Sequence, residues 1–188
     1  VVDFWFGRPD DAEYGLPRKA WFEKDAAFDA EIRDTFGDLV ENALADPAPV
    51  PDGSTALLGH IIVLDQFTRN IYRGTARAFA GDAQALRLAA YALECGADRQ
   101  LLPVQRAFVY LPFEHSESMA MQDRSVALFR ALVESHPDLP WLAGYLDYAE
   151  KHHAVIARFG RFPHRNAPLG RASTPEETAF LSQPGSAF

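Results

Sequence analysis

Apolar residues recur at steps of three and four along most of this chain, and this spacing constrains the fold more than any other feature. In an α-helix, residues three and four apart share one face, whereas a strand changes face at every residue. Strand-like alternation is nearly absent, so the sequence predicts an all-α fold. The clearest stripe predicts a long helix and consists of Phe28, Ile32, Phe36, Leu39, Val40 and Ala43.

Proline, glycine and capping residues predict where the helices begin and end. Short helices joined by such turns favour antiparallel packing between neighbours. No linker-like composition divides the chain, so residues 1–188 are predicted to form a single domain, an antiparallel helical array. The predicted signals are a proline-rich stop at 46–51, caps at Ser54 and Asp82, a stop at Gly96, a start at Pro103, a stop before His136, a start after Asp138 and a capping box at 174–177.

Charge and composition narrow the classes of function. The net charge of −8 and the pI near 5.2 argue against general nucleic-acid binding, which requires a basic surface. No apolar run approaches the ~18 residues of a membrane helix, so no membrane partner is expected. The single cysteine, Cys95, excludes an internal disulfide and favours a reducing compartment, so we expect a cytoplasmic protein.

Two segments concentrate arginine in this acidic chain. In the first, residues 65–73 (DQFTRNIYR), helical geometry would place Gln66, Arg69, Asn70 and Arg73 on one face. In the second, residues 158–171, glycines and prolines predict a loop that leaves a helix. That loop carries the second set of candidate ligand-binding residues, together with a candidate catalytic histidine. Planar guanidinium groups bind carboxylates or phosphates, so both segments are candidates for an anion site. The residues of the second set are Arg161, Arg165 and Asn166, with His164.

A third segment, residues 111–118 (LPFEHSES), places two carboxylates beside a histidine. Glu114 and His115 are candidate catalytic residues for proton transfer, and Glu117 is a candidate for ligand binding. The same group could also supply two or three metal ligands, but no His-x-x-x-His or Glu-x-x-His spacing supports a metal, so no metal ligand is predicted. The sequence leaves any cofactor unknown.

Each of these residues also has a structural interpretation. The arginines could pair with Glu114 and Glu117 and pin the loops to the bundle, because buried charges are usually paired. The histidines, including His152 on the last long helix, could be hydrogen-bonded core residues.

The three segments also resemble one known family. Residues 64–74 (LDQFTRNIYRG), 111–117 (LPFEHSE) and 158–166 (RFGRFPHRN) are similar to motifs of the bacterial family filed as domain of unknown function 924. The two ends, 3–7 (DFWFG) and 169–177 (LGRASTPEE), fit the same pattern, which also includes a histidine matching His152. Thr68 departs from it, because proline is expected there. The resemblance implies a tetratricopeptide-like α-α superhelix, and it implies no activity or catalytic residue.

Two classes of function follow from these observations. In the first, the three segments converge on a pocket lined by Arg, His and Glu that binds or acts on a small anionic ligand. In the second, the chain is a tetratricopeptide-like module that binds a protein or peptide, and the polar residues form a structural network. The sequence does not decide whether the chain is an enzyme.

Overall fold

Helices form the regular structure of the protein, seen in a computed structural model that describes residues 1–45 and 50–186. No strand occurs in these two ranges, which confirms the all-α prediction. The proline-rich stop predicted at 46–51 lies largely outside them. The helices are α1 (Val2–Phe6), α2 (Ala26–Ala45), α3 (Ser54–Ile62), α4 (Thr68–Ile71), α5 (Asp82–Glu94), α6 (Pro103–Glu114), α7 (Met119–Ser135), α8 (Leu142–Phe159) and α9 (Pro175–Leu181).

Most of the local signals mark helix ends as predicted. Helix α6 begins at Pro103, and Gly96 follows α5 in the left-handed conformation with φ 71°. The capping box at α9 is present, because Thr174 Oγ1 accepts from Glu177 N at 3.1 Å and Glu177 Oε2 accepts from Thr174 N at 2.7 Å. The predicted caps at Ser54 and Asp82 are wrong: the N-cap of α3 is Gly53 and that of α5 is Gly81, and the Asp82 carboxylate binds elsewhere.

A continuous apolar core joins α1 to α8. Trp5 of α1 is fully buried, and its ring contacts Trp21, Phe67 and Phe108 at centroid distances of 6.1, 5.5 and 5.8 Å. Edge-to-face and offset contacts of this kind stabilise a core beyond the area that they bury. The amino-terminal helix is thereby fixed against α6 and against the segment that follows α3.

Helices α7 and α8 pack side by side and run antiparallel. Asp123, near the start of α7, contacts His153 late in α8, and Phe129 further along α7 contacts Tyr145 early in α8. Helix α6 packs against both of them. The carboxyl end of α6, the second half of α8 and the loop after α8 therefore meet on one side of the bundle. No helix in the described ranges is long and apolar enough to cross a membrane.

A π-helical turn, Val63–Phe67, joins α3 to α4. Such turns contain an extra residue and occur often at functional sites. Two side chains bond carbonyl oxygens of this turn: Thr68 Oγ1 donates to Leu64 O at 2.8 Å, and Arg69 NH1 donates to Asp65 O at 2.7 Å. The turn changes the direction in which the following side chains project, and it divides the polar face predicted for residues 66–73.

Candidate functional site

The π turn places a carboxylate inside the protein. Asp65 is fully buried, and its Oδ2 accepts a hydrogen bond from Gln66 Nε2 at 2.6 Å. Because a buried carboxylate is costly unless it is hydrogen-bonded and paired, its other partners define the site around it.

The main partner of Asp65 is His115, the C-cap residue that follows α6. The Nδ1 atom of His115 lies 2.7 Å from Asp65 Oδ1, and the His115 side chain is 14% exposed. Arg69 NH1 lies 3.3 Å from the same carboxylate oxygen. The first and third sequence segments therefore meet at an Asp–His pair, 50 residues apart in the chain.

The surroundings fix the charges of this pair. Burial alone would raise the pKa of Asp65, but His115 and Arg69 outweigh it and hold the pKa well below its usual value. Burial and the charge of Arg69 lower the pKa of His115 against the opposing effect of Asp65. At neutral pH the site thus contains an ionised Asp65 and a neutral His115.

Two arginines share a second carboxylate, that of Asp82 at the start of α5. Arg69 binds it in a bidentate manner, with distances of 2.7 and 3.1 Å, and Arg165 NH1 donates to it at 3.1 Å. Gly81 allows this approach, because a Cβ atom there would lie 2.2 Å from the carbonyl oxygen of Leu64. The amino end of α5 therefore packs directly on the π turn, which brings Asp82 to Arg69.

Arg165 comes from the loop after α8 and is buried between two aromatic rings. Its guanidinium carbon lies 4.7 Å from the Phe79 ring centroid and 4.5 Å from that of Phe162, distances that suit cation–π contacts. Burial and the nearby Arg69 lower its pKa to about 10, so it stays charged at neutral pH. Its Nε is buried without a hydrogen-bond acceptor among the described residues.

Glu114 and His152 are in contact with each other in the interior, close to the pair of Asp65 and His115. Glu114 Oε1 lies 3.0 Å from His152 Nδ1, which also donates to Tyr148 O at 2.8 Å. Burial and the charge of Asp65 raise the pKa of Glu114 well above its usual value. Burial, with a contribution from His115, lowers the pKa of His152 to about 3. Both shifts favour the uncharged form of the group concerned, which disfavours an ion pair between the two side chains.

His164 lies at the edge of the same group. Its ring is 5.6 Å from the Phe162 ring, and burial together with the charge of Arg165 lowers its pKa to about 4. The structure thus brings together residues from all three segments, a group that we call the polar cluster. Its members are Asp65, Arg69, Asp82, Glu114, His115, His152, His164 and Arg165.

Two further predicted residues bind on α2 instead. Asn70 Nδ2 donates to Asp29 Oδ1 at 2.8 Å, and Arg73 makes two bonds of 2.8 Å to the same carboxylate. Gln66 and Arg69 contact Asp65, so the four residues do not share a face. The extra residue of the π turn and the end of α4 at Ile71 account for this division.

The other three predicted residues hold the carboxyl-terminal segment. Glu117 is bound by Arg171 in a bidentate manner at 2.7 and 2.9 Å. Arg161 and Asn166 both donate to Glu177. We call this second group the carboxyl-terminal clasp: Glu117, Arg161, Asn166, Arg171 and Glu177. The arginines therefore do not pair with Glu114 and Glu117 in the way that the structural interpretation predicted, apart from Arg171.

Sequence reasoning missed several of these partners. Asp82 was interpreted as a helix cap, and Asp29 on the polar face of α2 had no distinguishing neighbour. Glu177 was recognised only for its cap, although the lack of acids from 158 to 175 shows that the arginines there need partners from outside the segment. This excess of arginine over acidic residues was the sequence signal that could have pointed to Glu117 and Glu177 as partners.

The polar cluster is largely buried, with Asp65, Glu114, His152 and Arg165 each at most 6% exposed. An open groove of about 390 Å³ lies elsewhere, beside Val1, Leu39 and His60. Within residues 1–45 and 50–186, no three His, Cys, Asp or Glu side chains are arranged to hold a metal ion. The partly exposed edge of the polar cluster consists of the side chains of Arg69, Asp82 and His115.

Comparison with known proteins extends over nearly the whole chain. A solved structure of a protein of unknown function from Agrobacterium tumefaciens is similar, with a TM-score of 0.74 and 38% identity over 96% of this chain and 94% of that one. No curated protein matches. The model of the family described as bacterial protein of unknown function, DUF924, matches residues 1–185, and the chain belongs to that family.

Proposed function

We propose that the polar cluster binds a small anionic ligand and carries out acid–base chemistry on it, with His115 as the base. The observation that supports this most directly is the 2.7 Å contact between buried Asp65 and partly exposed His115, beside Arg69. A buried carboxylate that holds a histidine at an accessible edge is the arrangement that orients catalytic histidines.

The Asp–His contact determines which nitrogen of His115 can act. Ionised Asp65 can only accept a hydrogen bond, so Nδ1 of His115 carries the proton. The neutral ring then has its lone pair on Nε2, which can take a proton from a ligand. Because burial and the charge of Arg69 lower the pKa of His115, the neutral ring is available as a base at neutral pH.

Arg69 and Arg165 are the residues that bind the negative charge of the ligand in this proposal. Asp65 and Asp82 already balance Arg69 and Arg165, so a ligand with little charge disturbs the cluster least. The Nε–H group of Arg165 has no acceptor among the described residues and can donate to a ligand oxygen. These features favour a small anion over a highly charged one.

A structural network is the competing interpretation. Such a network normally satisfies its buried donors and acceptors, as the carboxyl-terminal clasp does. The polar cluster instead contains two buried atoms without a partner in the described ranges, Glu114 Oε2 and Arg165 Nε. This difference favours a ligand-binding site. The tetratricopeptide-like interaction module stays a prediction.

A thermal-shift panel at fixed ionic strength tests the proposal, with small carboxylates, inorganic phosphate and phosphate monoesters as probes. A ligand at a hundred times its dissociation constant adds about 2.7 kcal/mol to stability, which a melting curve resolves easily. We expect a saturable shift that disappears in Arg69→Gln and in His115→Gln.

Arg73→Gln is the matched control for this experiment. Arg73 lies four residues after Arg69 and also binds a carboxylate in a bidentate manner, but its partner is Asp29 on α2. This variant should keep the full ligand shift. The proposal is wrong if no anion binds, or if Arg69→Gln and Arg73→Gln respond alike while circular dichroism shows both folded.

A further inference from the structure

We propose that one edge of the Arg69 guanidinium group binds the carboxylate of a small, singly charged ligand. This edge consists of the Nε–H group and the N–H of NH2 that points in the same direction, and we call it the side edge of Arg69. The inference rests on the proposed function, because it assigns a binding position and a chemical class of ligand to the same site.

The hydrogen bonds of Arg69 use three of its N–H groups. NH1 donates to the backbone oxygen of Asp65 at 2.7 Å and to Asp82 Oδ1 at 2.7 Å, and NH2 donates to Asp82 Oδ2 at 3.1 Å. A guanidinium group has five N–H donors in one fixed plane, so two remain, and these two form the side edge. Neither of them has an acceptor among residues 1–45 and 50–186.

Other arginines of the protein use their side edges on the protein itself. Arg73, Arg158 and Arg161 each donate from both Nε and NH2 to the carboxylate of one acidic residue. Arg69 instead binds Asp82 with the opposite pair of nitrogens, NH1 and NH2. The edge that holds a carboxylate in the three other arginines is therefore left without one in Arg69, within the part of the chain that the structure describes.

The side edge of Arg69 belongs to a side chain that is fixed in place but reaches the surface. Its three hydrogen bonds hold the guanidinium plane, and the Phe79 ring centroid lies 5.7 Å from the guanidinium carbon, a distance that suits a cation–π contact. The side chain is still 21% exposed, whereas that of Arg165 is 8% exposed and its unbonded Nε is enclosed. Donors that are already ordered bind a ligand at a lower entropic cost, so Arg69 is the better binding position.

The neighbouring charges favour a ligand with a single negative charge. Asp65 and Asp82 lie within 3.3 Å of an arginine nitrogen and balance the charges of Arg69 and Arg165. A ligand therefore brings its charge close to two carboxylates, and this repulsion is larger for a dianion than for a monoanion. A phosphate monoester is mostly dianionic at neutral pH, whereas a carboxylate has one charge.

The shape of the side edge favours the same class of ligand. Its two N–H groups are parallel and lie in one plane, and a carboxylate presents two oxygens in one plane that accept both of them. The repulsion between charges and the planar fit both point to a small monocarboxylate rather than to a phosphate monoester.

Proton–nitrogen NMR spectra of the wild-type protein test this inference, because they resolve the Nε–H signals of individual arginines. Acetate and methyl phosphate are the two probes, compared at neutral pH and fixed ionic strength. We expect acetate to move the Arg69 Nε–H signal downfield in a saturable manner and to bind more tightly than methyl phosphate. The Nε–H group of Arg73 already donates to Asp29, so its signal should stay in place and is the internal control.

Arg69→Lys provides a second measurement, by calorimetric titration with acetate. Lysine keeps the positive charge but has no pair of parallel donors. The dissociation constant of acetate should therefore rise about tenfold or more, as expected for the loss of hydrogen bonds to a charged group. Circular dichroism checks that the variant is folded, and the titration of the wild type decides the question if it is not.

The outcomes separate this inference from the proposed function. An Arg69 Nε–H signal that acetate leaves in place overturns the inference, and so does tighter binding of methyl phosphate than of acetate. If melting curves show Arg69-dependent anion binding while that signal does not move, the binding position is wrong and the proposed function stands. If no anion binds in either measurement, both are wrong.

Discussion

The polar cluster and the carboxyl-terminal clasp are built from the same types of residue, yet they use them differently. In the clasp, Glu177 accepts from Arg161, Asn166 and the backbone of Thr174, and Glu117 accepts from Arg171 and the backbone of Phe162. Both carboxylates are ionised: the hydrogen bonds from Arg161 and Thr174 lower the pKa of Glu177 to about 2.

In the polar cluster, by contrast, titratable groups are held neutral beside charged ones. Burial raises the pKa of Glu114 and lowers that of His152, while His115 and Arg69 hold the pKa of the nearby Asp65 low. The clasp is saturated with hydrogen bonds, and the cluster retains buried atoms without partners in the described ranges. A group whose polar atoms are all hydrogen-bonded fits a structural role. The polar cluster, which has buried polar atoms without partners, is the better candidate for chemistry.

The largest expected effect is on the clasp. Glu177→Ala leaves the partly exposed Arg161 and the buried Asn166 without their shared acceptor, and a buried donor left unsatisfied typically costs about 1–3 kcal/mol. Urea denaturation should show this loss. The adjacent Glu176→Ala is the matched control, because its partner Arg158 is exposed and surface pairs contribute about 0–1 kcal/mol. Similar losses in the two variants would contradict a structural role for the clasp.

The second prediction concerns the backbone that supports the cluster. In Gly81→Ala, the new Cβ would lie 2.2 Å from the Leu64 carbonyl oxygen, so α5 must move away from the π turn. We expect a loss of about 1–3 kcal/mol, as for other overpacked sites, together with loss of anion binding. In Gly144→Ala, within α8, the new Cβ meets nothing within 4 Å, and a gain of about 0.5–1 kcal/mol is expected. A stable Gly81→Ala variant that binds anions normally would show that the contact does not position Asp82.

The third prediction separates the two regions by pH. The folded pKa of His152, about 3, lies below its usual 6.5, so below pH 6.5 the unfolded state binds a proton that the folded state does not. The free energy of unfolding therefore falls as pH decreases, by about 1.4 kcal/mol per pH unit for each such histidine. His152→Asn should reduce the slope between pH 6 and 5 by about that amount.

The clasp does not contribute to this window. The stability that Glu177 provides is present above pH 4.5 and is lost as pH falls toward its folded pKa of about 2. Glu177→Ala should therefore keep the wild-type slope between pH 6 and 5. His153→Asn, at the partly exposed neighbour of His152, is the histidine control. An unchanged slope in His152→Asn would mean that His152 is not held neutral in the fold.

The sequence predicted the helices well because their ends depend on local chemistry. Pro103 starts α6, and the capping box of Thr174 and Glu177 starts α9, as the residues within one turn require. The gathering of the three segments was expected from their unusual composition, and the structure brings together Arg69, His115 and Arg165.

The partners within the cluster could not be predicted in the same way. Asp82 and Arg165 meet across 83 residues, and the pairing depends on how α5 packs against the π turn. The turn itself has no proline or glycine to mark it: residues 63–67 have ordinary helical composition. Regular helical spacing therefore predicted one face for Gln66, Arg69, Asn70 and Arg73, where the structure has two. Local signals cannot reveal an extra residue that tertiary packing stabilises.

The smallest effect is expected for the ion pair between Arg73 and Asp29 of α2. The Arg73 side chain is 40% exposed, so its pair with Asp29 should contribute about 0.2–1 kcal/mol, and less at high salt. A double-mutant cycle of Arg73→Gln and Asp29→Asn, measured by urea denaturation at two salt concentrations, isolates this coupling. Asn70 is buried and shares the same carboxylate, so Asp29→Asn alone should cost more than Arg73→Gln alone. A coupling of several kcal/mol that salt does not weaken would contradict this prediction. A small, salt-sensitive coupling would show that Arg73 forms an ordinary surface pair. Arg69 is then the arginine of residues 65–73 on which the polar cluster depends.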